Sequence, residues 1–224
     1  MATPIEDFII TLPAPKSATS STALELPGDE ALRLYPQFIQ RLSGEEVRMT
    51  APMLAASTQS TTRTRCEWRE SRYWSLESAA DHWSRQEMRL TQVNSGQKVV
   101  VAQMHVKDSD RPPLKVFWNK GKLTLGFRRS HEQEEPVNST VLDKVPLGAT
   151  FRLNLHVTDG GSVSVTASCN GVKSAPSPLR LDGSWNGRLL NFHGGVYNQL
   201  DPGPSTLAAD ASVCVISELS VTHS

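Results

Sequence analysis

No apolar run in this 224-residue chain approaches the roughly 18 residues that a membrane-spanning helix requires, so the sequence predicts no bilayer crossing. An excess of charge is also missing. Lys plus Arg and Asp plus Glu number 23 each, for a formal net charge of zero. A general nucleic-acid binder rests on excess positive charge, so that class is set aside, although a local basic cleft stays open. Cysteine is scarce: Cys66, Cys169 and Cys214 are odd in number and lack metal-ligand spacing. The expectation is reduced, buried thiols and no metal, with a Cys169–Cys214 bridge as the alternative for an exported chain. The opening Met1-Ala2-Thr3-Pro4-Ile5-Glu6-Asp7-Phe8 has neither a basic region nor a long apolar stretch behind it, so no secretory signal is read. That leaves a cytoplasmic protein and an exported one whose signal has been removed. Internal repeats, heptads and long helical periods are absent too.

What remains is a succession of short strand-like runs broken by turn residues. Ile5 to Leu12 reads as a first strand that stops at Pro13, and residues 13–28 as a surface loop rich in Pro, Ser, Thr and Ala. Asp29 to Leu34 reads as one helical turn, and Phe38 to Ala51 as a hairpin folded over Ser43-Gly44. Arg65 to Glu70 alternates strictly. Ser75 to Trp83 reads as a short helix capped by Ser75, and Arg85 to Val93 as a strand. Lys115 to Trp118 and Lys122 to Phe127 flank Asn119-Lys120-Gly121, a hairpin signal. Residues 128–141 read as a polar loop. Phe151 to Thr158, Ser162 to Cys169, Val172 to Ser174, Leu189 to Gln199 and Val213 to Val221 read as strands. Short strands between regular turns mean a sandwich or barrel. The length and the lack of helices predict one all-β domain over 1–224, a two-sheet antiparallel β-sandwich jelly roll with one concave face.

Three strands carry polar stripes. Val99 to Val106 is apolar, β-branched and free of Gly and Pro, so it reads as a central strand. Strict alternation places Val99, Val101, Gln103 and His105 on one face and Val100, Ala102, Met104 and Val106 on an apolar core face. Gln103 and His105 in mid-strand cost free energy unless something satisfies them. In the second strand Arg65, Glu67 and Arg69 share a face, with Cys66 and Trp68 toward the core. In the third, His193, Gly195, Tyr197 and Gln199 share a face, and Gly195 leaves room between His193 and Tyr197. Each stripe alone is compatible with a solvated sheet face or a partnered polar core. Together they would line a concave sheet with cations and hydrogen-bonding groups. That lining suits an extended acidic sugar polymer, because arginine forks match carboxylates. The chemistry open to such a set is proton abstraction next to a carboxylate.

Arg65-Cys66-Glu67-Trp68-Arg69, Gln103-Met104-His105 and Asn191-Phe192-His193-Gly194-Gly195-Val196-Tyr197-Asn198-Gln199 occur in an order with a known counterpart. The chain resembles the alginate lyases of polysaccharide lyase family 7, whose motifs are Arg-(Ser/Thr)-Glu-(Leu/Val)-Arg, Gln-(Ile/Val)-His and Tyr-x-Lys-x-Gly-x-Tyr-x-Gln. The resemblance implies a jelly roll that cleaves 4-linked uronates by β-elimination, without a metal or organic cofactor. It implies an acidic polysaccharide as substrate, alginate first, for a monomer with no nucleic-acid or membrane partner. By the same resemblance Gln103 and Arg65 hold and neutralise the carboxylate, and His105 is the base. Tyr197 then gives a proton to the leaving O-4, and is itself the base when the sugar is mannuronate. Glu67, Arg69, His193 and Gln199 fall on groove positions, with Glu67 orienting an arginine, and Lys115 lies near enough in sequence to line a subsite.

Four positions depart from the motifs. Cys66 and Asn191 replace Ser/Thr and Tyr; His193 replaces Lys and loses a fixed charge. Met104 replaces Ile/Val, which leaves guluronate against mannuronate preference open. The altered lining also admits another polyuronate, such as glucuronan. A jelly roll that binds carbohydrate without catalysis, and a structural sandwich with a coincidental polar face, are the readings from other classes. His82, His131, His156 and His223 lie outside the motifs and read as surface or packing residues.

Overall fold

A computed structural model describes residues 3–176 and 178–224. In chain order the strands are β1 (Phe8–Pro15), β2 (Ala23–Pro27), β3 (Ile39–Arg41), β4 (Val47–Pro52), β5 (Arg65–Glu70), β6 (Asp81–Gln92), β7 (Lys98–Val106) and β8 (Leu114–Asn119). They continue as β9 (Lys122–Phe127), β10 (Val137–Leu142), β11 (Thr150–Thr158), β12 (Ser162–Cys169), β13 (Val172–Lys173), β14 (Leu179–Arg180), β15 (Leu190–Asn198) and β16 (Ala211–His223). The helix α1 (Gly28–Leu34) lies between β2 and β3.

Two antiparallel sheets result. The first runs β10-β9-β8-β7-β15-β5-β1-β2; the second runs β13-β12-β11-β6-β16-β4-β3, with β14 also on β12. Local hairpins build the flanks of each sheet. The late strands β15 and β16 enter the centres, between β7 and β5 and between β6 and β4. This is the predicted two-sheet jelly roll. Period-2 alternation supplies the inner faces: β6, β11 and β12 bury every second side chain. Trp68, Phe192, Met88 and Phe151 are fully buried between the sheets, and Trp185 closes the core from a loop. Each such side chain contributes about 1.5–3 kcal/mol by leaving water.

Several local expectations change. β1 does not stop at Pro13. It reaches Pro15, because its ladder to β5 ends at Thr11 and its ladder to β2 shifts register between Leu12 and Pro15, so the prolines interrupt no regular pairing. The expected loop 13–28 contains β2, and the expected loop 128–141 contains most of β10. Both are edge strands of the first sheet; β2 is short and framed by prolines and polar residues, and the first four residues of β10 are exposed, so neither stands out as a strand in sequence. The expected helix over Ser75 to Trp83 shrinks to a single 3₁₀ turn, Leu76–Ser78, without a side-chain cap from Ser75. Asp81 to Trp83 already belong to β6, where β11 and β16 pair with them. Cys66, Cys169 and Cys214 are all buried and unbridged, so the alternative Cys169–Cys214 disulfide does not form.

Candidate active site

The largest correction lies in β7. Val99 and Val101 belong to the main core with Ala102, Met104 and Val106, whereas Val100 clusters with Phe117 and Tyr197 on the opposite face. Val101 and Ala102 are thus consecutive core residues. Strict alternation fails because the sheet carries a bulge here. One row of paired residues runs Lys115, Gln103, His193 and Arg69 across β8, β7, β15 and β5; a second runs Phe117, Val100, Tyr197 and Arg65. Between the rows β7 inserts Val101 and Ala102, where β8 inserts only Val116 and β15 inserts Gly194, Gly195 and Val196. Bulges of this kind re-aim side chains, and here they bring both rows to one face.

Glu67 is at the centre of the contacts, 1 % exposed. Its carboxylate accepts from Gln103 Nε2 at 2.9 Å and from Arg65 Nη1 at 3.2 Å. The Arg65 guanidinium carbon lies 3.6 Å from the centre of the Tyr197 ring, and Lys115 Nζ lies 5.6 Å from the same ring centre. His105 stands beside His193 with ring centres 5.2 Å apart. His193 Nε2 donates to Asn191 Oδ1 at 2.9 Å, which leaves its Nδ1 as an acceptor. Arg69 is held by Glu25 on β2 at 2.9 Å and by the Glu70 carbonyl at 3.1 Å. Gln199 lies past the end of β15, and its amide donates to the Tyr197 and Asn198 carbonyls.

Burial and crowded cations set the protonation states. His105 is lowered to about 4 by burial, with Arg65 and Lys115 adding to the effect, so its imidazole is neutral at pH 7. Burial, with His105 and the cations behind it, holds His193 well below the usual imidazole range, so it supplies no charge. Lys115 is lowered to about 8, first by burial and then by Arg65. Burial raises the Glu67 carboxyl, against the pull of Arg65 and Lys115. Among the described residues Arg65 Nε, Gln103 Oε1 and Asn191 Nδ2 are buried without hydrogen-bond partners, so each has bonding capacity left over on this face. The set can hold an anion on Arg65 and Lys115 while presenting a neutral base.

The structure therefore brings together Arg65, Glu67, Gln103 and Tyr197 in direct contact, with Lys115, His105 and His193 alongside. Arg69 stands in the first row but is tied to Glu25. The Gln199 amide turns to the backbone carbonyls of Tyr197 and Asn198. Asn191, read in sequence as a departure from the motif, reaches this face through its bond to His193. Sequence reasoning missed Val100, Phe117 and Glu25, and Val100 left no signal, because only the bulge turns it outward. Cavities of about 450 and 500 Å³ open elsewhere, one beside Arg85 and Arg152 on the second sheet and one beside Tyr73 and His223. Neither touches the polar cluster, and it is the cluster's desolvated charges and neutral base that mark the site.

No curated protein matches the chain in sequence. Solved structures do match in fold. An alginate lyase from Pseudomonas aeruginosa superposes with a TM-score of 0.83 at 23 % identity, covering 98 % of this chain and 99 % of that one. One from Klebsiella pneumoniae gives 0.84 at 18 % identity, covering 98 % and 96 %. The alginate lyase A1-II′, a member of polysaccharide lyase family 7, gives 0.81 at 20 % identity, covering 99 % and 96 %. The sequence model of the alginate lyase family matches residues 3–223, nearly the whole chain, and so this chain belongs to the alginate lyase family.

Proposed function

We propose that this enzyme cleaves 4-linked uronate chains, alginate first among them, by β-elimination on the face that carries Arg65, Gln103, His105 and Tyr197. One observation carries the reading: a neutral imidazole, His105, sits among cations on the face that also presents Tyr197. A proton next to a carboxylate is weakly acidic because its removal adds charge to a group already negative. Arg65 and the second amide hydrogen of Gln103 offset that charge, a preorganised electrostatic effect. His105 takes the proton from C-5, for which it must be neutral. The C–H electron pair becomes the C-4 to C-5 double bond, the C-4 to O-4 bond breaks, and the Tyr197 hydroxyl protonates O-4. With mannuronate, whose C-5 hydrogen lies on the other side, Tyr197 is the base. Glu67 fixes both Gln103 and Arg65 and stays clear of the polymer. Lys115 and Arg69 hold flanking carboxylates. A variant of A1-II′, which shares this fold at a TM-score of 0.80, carries the substrate GGMG, and an uronate chain is the ligand we assign to this face.

A second substrate reading has its own support. His193 contributes an uncharged acceptor, not the cation of the family motif, which favours a sugar hydroxyl at that point and admits glucuronan. The test is a panel of alginate, polymannuronate, polyguluronate and glucuronan, followed by the ultraviolet absorbance of the unsaturated end that elimination creates. The expected result is an increase on at least one polymer. Binding to any of them with no absorbance on all four would establish a non-catalytic carbohydrate-binding jelly roll instead.

A further inference from the structure

Gln86 lies on β6, in the second sheet, and points into the core between Leu153 and Leu219, its cross-strand neighbours. It is 3 % exposed. Its Nε2 donates to the Val101 carbonyl at 2.9 Å, across the sandwich, and its Oε1 has no partner among the described residues. A half-satisfied amide in an apolar layer is a poor stabiliser, because the lone acceptor was taken from water without replacement. A Met or Leu would fill the same space without that penalty. The one bond it does make ends on the residue at the bulge, whose backbone is the least fixed of β7 by the ladder. Gly194 permits the approach. A Cβ there would stand 2.8 Å from Gln86 Oε1 and 2.7 Å from the Trp68 ring.

We infer that Gln86, on the sheet opposite the groove, is a positioning residue: through the Val101 carbonyl it pins the bulge that sets Val100 and Tyr197 in one row and Gln103 and His193 in the next. The inference rests on the assignment of that face as the lyase site. If the bulge relaxes, β7 slips between its neighbours and His105 and Gln103 shift relative to Tyr197. A displacement of about 1 Å at reacting groups costs on the order of 100-fold in rate.

The test is Gln86→Met, which keeps the volume and removes the donor, with Gln86→Glu beside it. Two measurements are made on each: steady-state kinetics on the best polymer of the panel, and amide hydrogen exchange across β7 and β15 against β11 and β12. For Gln86→Met the expectation is a kcat loss of about 10-fold or more with KM little changed, together with faster exchange at Ala102 and Tyr197 only. Gln86→Glu can donate to Val101 while its buried carboxyl is protonated, so its kcat relative to wild type recovers as pH falls and is lost as pH rises. That pH-dependent rescue would not accompany a merely structural role, and it remains readable if Gln86→Met does not fold. Unchanged kcat and exchange in folded Gln86→Met, or a pH-independent Gln86→Glu, overturns the inference. A wild type inactive on every polymer overturns the lyase assignment instead, and the exchange data still decide whether Gln86 holds the bulge.

Discussion

The guanidinium of Arg65 stacks on the Tyr197 ring, carbon to ring centre 3.6 Å, while its Nη1 is bonded to Glu67. One cation thus spans the buried Glu67 carboxyl and the Tyr197 ring. A planar guanidinium can do both; an ammonium cannot stack and fork together. Arg65→Lys is expected to lower kcat by about 100-fold, the usual cost of losing one preorganised donor, with stability little affected. Glu67→Gln is expected to lower thermal stability by about 1–3 kcal/mol, less than a fully orphaned buried charge, because Arg65 keeps the ring and some solvent. Steady-state kinetics and thermal melts check both.

Replacing the two groups assigned to proton transfer gives a sharper result. His105→Ala and Tyr197→Phe should each reduce turnover by about 100-fold or more, the usual size of a general acid–base contribution. A near-normal rate in either variant removes that residue from the mechanism.

The pH dependence of kcat/KM follows from the two shifted groups. A base works only when deprotonated, so activity should be lost as pH falls through about 4, where His105 protonates, well below the ordinary imidazole range. Lys115 loses its charge as pH rises through about 8, so an alkaline limb is expected there. Lys115→Arg should move that limb upward and leave the acid limb in place. An unshifted alkaline limb in this variant would assign it to another group.

Two glycines separate close packing from backbone strain. Gly194→Ala drives a methyl into Trp68 and Gln86, with an expected loss of about 1–3 kcal/mol, the range for overpacking. Trp68→Leu should recover part of that loss in the double variant. Gly195 has φ +122°, and a Cβ there would stand 2.5 Å from the Cys66 carbonyl oxygen, so Gly195→Ala clashes with backbone that cannot swing aside and should be the more damaging change. Chemical unfolding of the three variants measures the order.

A second titrating cluster ties the two sheets together. His82 Nε2 donates to the Leu76 carbonyl at 3.0 Å, so its Nδ1 must accept from His223 Nδ1 at 2.7 Å, and His223 Nε2 meets Glu70 at 2.7 Å. The other Glu70 oxygen accepts from the Trp74 indole and the Phe192 amide. Protonating His82 would set two donors face to face. Burial, with His223 behind it, lowers its pKa, so the unfolded chain binds the proton more readily. The stability it contributes is complete above the unfolded value of about 6.5 and declines as pH falls below it. The melting temperature should drop over that window, and His82→Phe should flatten part of the slope.

Much of this was legible in the chain. The three polar stripes, the apolar backs at Cys66 and Trp68, and the hairpin at Asn119-Lys120-Gly121 follow from alternation and turn chemistry, which are local. What escaped was long-range. β2 and β10 are short edge strands that pair only at long range or lie in polar surroundings, so Glu25, the partner of Arg69, was hidden in an apparent loop. His82 and His223 are 141 residues apart and meet only where two strands pair.

Composition and period alone determined the class of fold, the residues that could carry chemistry and the balance of charge, because each depends on the near neighbours of a residue. Which way Val100 turns, how the rows of β7 and β15 line up, and that His105 is neutral were decided only in three dimensions. A bulge breaks the period of two at a point no single strand reveals, and a pKa answers to burial and to charges brought in from other strands.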